Sequence, residues 1–305
     1  MQCMEVWGGN RGIDTGVEVP GLEGWVLARP HAGAEAGGDI HYVSSCATGR
    51  ITRLLLADVS GHGSGVDAVA VELRNLMRRY VNMIDQRALV RSLNREFGEL
   101  ARDGMFATAV AATYFAPARR LVISNAGHPR PLVFRAREQT WSSIGIESAG
   151  EDGPANLPLG VLAPTSYDER AIALVEGDFV VFYSDSLIEA RNAQGKTLGE
   201  EGLRHRLGAI KPGTPEQVAR SIVQGLDGLA DDDVTLMVLR VNASRVRRGA
   251  WSTLVGSVDF ARLVWRRLLR GPGEPIPWPE WSGANVLGFF SDRLSRAFTP
   301  KEGGR

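Results

Sequence analysis

The chain has 305 residues, 44% hydrophobic and 23% charged, and its 35 Lys/Arg balance 35 Asp/Glu. That is enough chain for a full core, as one large domain with an appendage or as two domains. Only Cys3 and Cys46 are present, which argues against a disulfide scaffold, and no apolar run approaches the roughly 20 residues of a membrane span.

The N-terminal MQCMEVWGGNRG lacks the apolar stretch of a signal peptide, so a cytoplasmic location is expected. Gly24–Arg29 reads as a strand leading into a Gly-rich loop before Asp39. Arg50–Ala57 (RITRLLLA) is a short apolar run that ends at Asp58, as a buried strand would. From Gly65 to Tyr80, Val66, Val69, Ala70, Leu73, Leu76 and Met77 recur at helical spacing. A second helix is predicted over Gln86–Leu100, with Leu89, Leu93, Phe97 and Leu100 on one face. Phe106–Phe115, Leu121–Ser124 and Pro131–Phe134 read as strands, with turns at Ala116-Pro117-Ala118 and Asn125-Ala126-Gly127-His128.

Phe179–Ser184 is an apolar strand that delivers Asp185. Thr214-Pro215-Glu216-Gln217 is a capping box with Pro at the first helical position, predicting a helix to about Leu226. Val234–Val241 closes the domain as a last strand. Strands and helices in blocks, without strict alternation, predict an α+β fold with antiparallel sheets.

Beyond residue 243 the chain changes character. Residues 245–305 hold 11 Lys/Arg and 5 Asp/Glu, a formal +6, which leaves residues 1–244 with 24 against 30, a formal −6. Ser244–Gly249 reads as a basic linker and Trp251–Arg270 as an amphipathic helix flanked by Arg262, Arg266 and Arg270. Gly271–Pro279 is too rich in Gly and Pro to be helical, and Gly283–Ala297 offers a second short helix. Four of the seven tryptophans lie in this extension. Its readings are packing onto the domain, docking of a partner protein, or peripheral membrane contact. Nucleic acid is not expected, since a basic tail alone is weak evidence.

The candidate chemistry lies in four aspartates, each expected where a strand gives way to a loop. They are Asp39 in Gly37-Gly38-Asp39, Asp58 in Asp58-Val59-Ser60-Gly61-His62-Gly63, Asp185 in Ser184-Asp185-Ser186, and Asp232 in Asp231-Asp232-Asp233. Hard divalent cations take oxygen ligands on rigid supports. Asp233 is the alternative to Asp232, while Asp231 reads as a solvated turn residue. His62 is either a structural bond to the loop or a proton donor to the leaving group. His128 has the same two readings. Ser60 and Ser64 show no base partner for a serine-nucleophile scheme.

The chain resembles the SpoIIE/RsbU-like branch of the PPM (type 2C) metal-dependent serine/threonine protein phosphatases. The strings that carry the resemblance are ARPHAGAEAGGD (28–39), LLLADVSGHG (54–63), FATAVAATYF (106–115), SNAGHPRPLVF (124–134), LPLGV (157–161), GDFVVFYSDSLIEARNAQGKTLG (177–199) and DDDVTLMVLRV (231–241). It spans roughly residues 20–243 and implies an α-β-β-α sandwich of two antiparallel sheets flanked by helices. A phosphatase domain over 1–243 would then be followed by a helical extension over 244–305.

The resemblance also implies two Mn²⁺ or Mg²⁺ ions, with Asp58 bridging them and the Val59 carbonyl adding a ligand. Asp185 and Asp232 would complete one shell and Asp39 the other, with Asp58 and His62 as the catalytic candidates. The implied activity is hydrolysis of phosphoserine or phosphothreonine on a regulatory protein, such as a STAS-type anti-sigma-factor antagonist, by a metal-activated water. The alternative is a catalytically weak regulatory binding module. The family's usual Asp-Gly is Asp185-Ser186 here, and its usual Asp three residues past Gly-Gly-Asp is Tyr42. Both departures put the local loop geometry in question.

Overall fold

The structure, a computed structural model, describes residues 3–46, 49–61, 65–83, 85–101, 104–146, 154–191, 197–224 and 232–244. In chain order these form β1 (Cys3–Arg11), β2 (Ile13–Val19), β3 (Leu22–Arg29), β4 (Ala36–Cys46) and β5 (Ile51–Val59), then α1 (Val66–Tyr80) and α2 (Gln86–Leu100). Next come β6 (Ala107–Phe115), β7 (Arg120–Ala126), β8 (Leu132–Arg135), β9 (Thr140–Ser143), β10 (Arg170–Ala173) and β11 (Phe179–Tyr183). The series ends with α3 (Ser186–Glu189), α4 (Gly199–Gly208), α5 (Pro215–Val223) and β12 (Val234–Val241).

The strands form two antiparallel sheets, ordered β1-β4-β5-β6-β7-β10 and β2-β3-β12-β11-β8-β9. Both faces of the central strands are covered, so their sequences read as continuous apolar runs. On β5, Leu54 and Leu56 enter the layer between the sheets, and Leu55, Ala57 and Val59 face α1 and α2. On β12, Met237, Leu239 and Val241 point between the sheets, while Leu236 and Val238 meet α4 and α5. The molecule is therefore an α-β-β-α sandwich with three apolar layers, as the resemblance implies.

Local chemistry sets the helix boundaries. The Asp85 side chain caps α2 by accepting from the Ala88 N–H, and Thr214 and Gln217 form the full capping box of α5. The α5 helix stops at Val223, with Gln224 extended, short of the predicted Leu226. Several strands escape the sequence reading. β1 carries Gly8-Gly9, β2 is a half-exposed edge, and β4 begins inside the stretch read as a Gly-rich loop. Asn125 and Ala126, read as a turn, belong to β7. The two helices expected after residue 250 lie outside the described residues.

Leu56→Ala, which hollows the layer between the sheets, should cost about 2–5 kcal/mol in urea unfolding. Thr214→Ala should cost about 1 kcal/mol, because only one helix cap is lost. Equal costs for the two would contradict this placement of the core.

Candidate metal centre

Strand alternation brings the candidate residues together. Residues two apart on a strand share a face, so the side that buries Leu54 and Leu56 on β5 next presents Asp58. By the same rule, the face of Val43 on β4 presents Asp39 and that of Val110 on β6 presents Thr108. Beyond Phe182 and Met237 the second sheet supplies Ser184 and Thr235. Asp39 stands directly across from Asp58 in the β4–β5 ladder, and Asp58 across from Thr108 in β5–β6. The apolar layer between the sheets thus turns polar at one end. Asp39 and Asp58 lie inside paired strands, which corrects the expectation that each marks a chain break.

Asp185 and Asp232 come to the same end because β11 and β12 are antiparallel neighbours, one leaving and the other entering there. The Ser184 N–H donates to the Thr235 carbonyl at 2.9 Å, and the Thr235 N–H donates to Ser184 Oγ at 2.9 Å. These bonds fix the positions beside Asp185 and Asp233. The Asp232 carboxylate accepts the Asp233 N–H at 2.8 Å.

Burial and mutual repulsion dominate the electrostatics. Burial, then the charge of Asp58, holds the Asp39 carboxyl well above its usual range, against hydrogen bonds from Thr235 and Ser184. Asp58 is pushed up to about 7, first by burial and then by Asp185, Asp232, Asp233 and Glu189. Burial and Glu189 also raise Asp185. Asp39 Oδ2 is buried with no hydrogen-bond partner.

Among the described residues no group of three His, Cys, Asp or Glu side chains forms a closed metal cluster as it stands. The donor set nonetheless fits hard divalent cations. It is built of oxygens, its carboxylates repel one another, and one buried oxygen lacks a donor. The Val59 carbonyl borders the same space: a Cβ built on Gly38 would lie 3.0 Å from that oxygen and 3.6 Å from Asp58 Oδ1.

The two sequence departures leave this geometry intact. Ser186 opens α3 with helical backbone, a conformation open to any L-residue, and its Oγ lies 3.0 Å from Ser184 Oγ. Tyr42 lies on the opposite face of β4 from Asp39, buried with Leu55 and Leu73 against the helices. His62 and Asp231 lie outside the described residues. His128 is buried, with Nδ1 2.8 Å from Thr108 Oγ1, and Asn125 clamps its backbone at both N–H and C=O. Burial lowers its pKa to about 3, so it is neutral at physiological pH and serves as a brace.

Glu189 joins the site without having been singled out, and Asp233, read only as an alternative to Asp232, joins it in another role. Glu189 sits one helical turn after Asp185, a spacing visible in the sequence. Asp233 turns inward and bonds to the backbone of the Gly37–Asp39 segment.

A pH dependence follows. Folded Asp58 keeps its proton to about pH 7, whereas its ordinary pKa is 3.8. Between these values the folded state binds more protons than the unfolded state, so this group's contribution to stability falls as pH rises. In chelator, calorimetric Tm should decline from about pH 4 to pH 7, and Asp58→Asn should flatten that decline. An unchanged slope in the variant would refute the assignment.

Comparison with known proteins agrees with this fold. Residues 48–242 match the family model described as Stage II sporulation protein E (SpoIIE). The phosphoserine phosphatase RsbU of Bacillus subtilis (strain 168) is 26% identical over 156 residues, which are 50% of this chain and 44% of that protein. The chain thus spans less than half the length of that relative. RsbX in complex with magnesium superposes with a TM-score of 0.58 at 16% identity, covering 75% of this chain and 100% of that one. The PP2C phosphatase domain of SpoIIE from Bacillus subtilis, solved with a fragment of its regulatory domain, gives 0.61 at 15% identity over 74% and 65%. The chain belongs to the SpoIIE family.

Proposed function

We propose that the chain is a metal-dependent phosphoprotein phosphatase acting on phosphoserine or phosphothreonine, with Asp39, Asp58, Asp185 and Asp232 holding two Mn²⁺ or Mg²⁺ ions. The observation that carries this reading is the convergence of four carboxylates from both sheets on one end of the interlayer core. The magnesium named with RsbX points to the same class of ion. When bound, such ions supply an activated water and offset charge on the phosphoryl oxygens.

Asp58 is the candidate bridge, since it faces Asp39 across the strand pair and feels Asp185 and Asp232 from the second sheet. The Val59 carbonyl would add a backbone oxygen, and Asp39, Asp185 and Asp232 would complete the two shells. The ladders of β4 and β5 hold Asp39, Asp58 and Val59 in place before substrate arrives, so little reorganisation is needed there at reaction. His62 is the candidate proton donor to the departing serine oxygen. The RsbU likeness favours a regulatory phosphoprotein, of the STAS-type anti-sigma-factor antagonist kind, as substrate. Residues 1–243 would form the phosphatase unit, and 244–305 a helical extension that packs on it or meets a partner.

Turnover of p-nitrophenyl phosphate should require Mn²⁺ or Mg²⁺ and stop in EDTA. Asp58→Asn and Asp232→Asn should each cost at least ~10²-fold in rate while the protein stays folded, because a lost ligand raises the pKa of the activated water. Asp231→Asn should be nearly silent. Activity that survives chelation, or equal damage at residues 231 and 232, would defeat the scheme.

The extension should be separable from the chemistry. Ser244 Oγ accepts the Gly21 N–H at 2.9 Å, so a chain ending just past Ser244 should keep small-ester turnover. Loss of that turnover in a folded truncated protein would refute the division.

A further inference from the structure

We propose that Asp233 is a positioning residue, a clamp from the second sheet that sets Asp39 against Asp58 in the first. Its carboxylate accepts three backbone N–H groups from a segment about 200 residues away in sequence. They are His31 at 2.7 Å, Gly38 at 2.6 Å and Asp39 at 3.3 Å. His31 lies in the turn after β3, and Gly38 and Asp39 lie on β4, so one side chain gathers the whole approach to Asp39. Asp233 is itself 9% exposed, which makes these charge-assisted bonds strong and their loss costly.

The glycines of Gly37-Gly38-Asp39 acquire a physical reason. A Cβ at residue 37 would fall 1.9 Å from Asp233 Oδ2 and 2.4 Å from Oδ1. Gly37 is absent from the described glycines of positive φ, so space, and not backbone freedom, requires glycine there. The carboxylate fills the volume a side chain would take.

Adjacent aspartates therefore have opposite duties. Asp232 offers its carboxylate to the candidate metal centre, while Asp233 turns between the sheets and ties β12 to β4. Outer groups that orient ligands are worth roughly 10–100-fold in metal affinity or activity. The effect on metal and turnover rests on the phosphatase reading above, whereas the clamp itself can be read from backbone protection alone.

The test uses the full chain with Asp233→Ala, Asp233→Asn and Gly37→Ala. The last removes nothing from Asp233 but drives a Cβ into its carboxylate. Three quantities are measured: amide hydrogen exchange over residues 30–40, Mn²⁺ affinity by calorimetry, and turnover against Mn²⁺ concentration. In Asp233→Ala, exchange over 30–40 should rise while β6 and β7 keep their protection. Mn²⁺ affinity should drop at least about tenfold, and turnover should return to within a few fold of wild type at saturating Mn²⁺. Gly37→Ala should reproduce the pattern, and Asp233→Asn, which keeps one accepting oxygen, should fall between.

Unchanged exchange over 30–40 in both Asp233→Ala and Gly37→Ala would overturn the clamp. Turnover that no Mn²⁺ concentration restores, as expected for Asp232→Asn, would overturn it too and make Asp233 a ligand. If Asp233→Ala fails to fold, Asp233→Asn and Gly37→Ala decide by the same two criteria. A wild-type protein that neither binds Mn²⁺ nor hydrolyses the ester would sink the phosphatase reading, and the exchange data would still judge the clamp.

Discussion

Several carboxylates gathered at one end of a two-sheet core, some buried and some partly exposed, repel one another at distances fixed by the backbone. Asp39 and Asp58 cannot move apart without breaking the β4–β5 ladder, and Asp39 is buried while Asp58 is only partly exposed. Proton uptake or cation binding are the available reliefs, and near pH 7 the first is already failing for Asp58. The same repulsion that weakens the apo fold is what gives the end of the sandwich its appetite for positive charge. Stability and the candidate chemistry are set against each other at this one spot.

The register of the sheets follows from that constraint. A shift of one residue on β4 would send Asp39 into the helix layer and bring Tyr42 between the sheets. Tyr42, among the largest fully buried side chains, has a seat only on the helix side. Its bulk therefore opposes a slip that would dismantle the site. The polar position and the apolar one next door specify the same alignment from opposite faces.

Legibility in the sequence varied with the strength of the local pattern. β5, β12, α1 and α2 were readable because LLLA, LMVL and the 3.6-residue stripes have one plausible burial each. Strands at the sheet edges and β4 beside one gave no such signal: β2 alternates but includes Gly16, and β1 and β4 contain paired glycines that also suit loops. Asp39 and Asp58 were legible through their Gly-rich strings and Asp185 and Asp232 through the apolar strands beside them, yet their mutual geometry depends on which strands become neighbours. Asp233 shows the limit clearly. Its neighbour Asp232 has the same side chain, and only alternation on β12 together with the place of β4 decides which of them turns inward. Glu189 could have been found from its i,i+4 spacing to Asp185, had α3 been foreseen.

The place of β12 has a consequence for the newborn chain. It is the last strand in chain order among those described, yet it lies inside the second sheet, between β3 and β11. Until it inserts, β2-β3 and β11-β8-β9 are two fragments with no shared hydrogen bonds, and their apolar faces stay uncovered. Pairing β3 with β12 joins residues more than 200 positions apart, the kind of contact that slows folding. On the ribosome, the second sheet closes only after residue 241 has cleared the exit tunnel. Because the same strand brings Asp232 and Asp233, an unfinished chain holds neither a complete sheet nor a complete set of carboxylates, and under the proposed scheme it would have no turnover until the domain is whole.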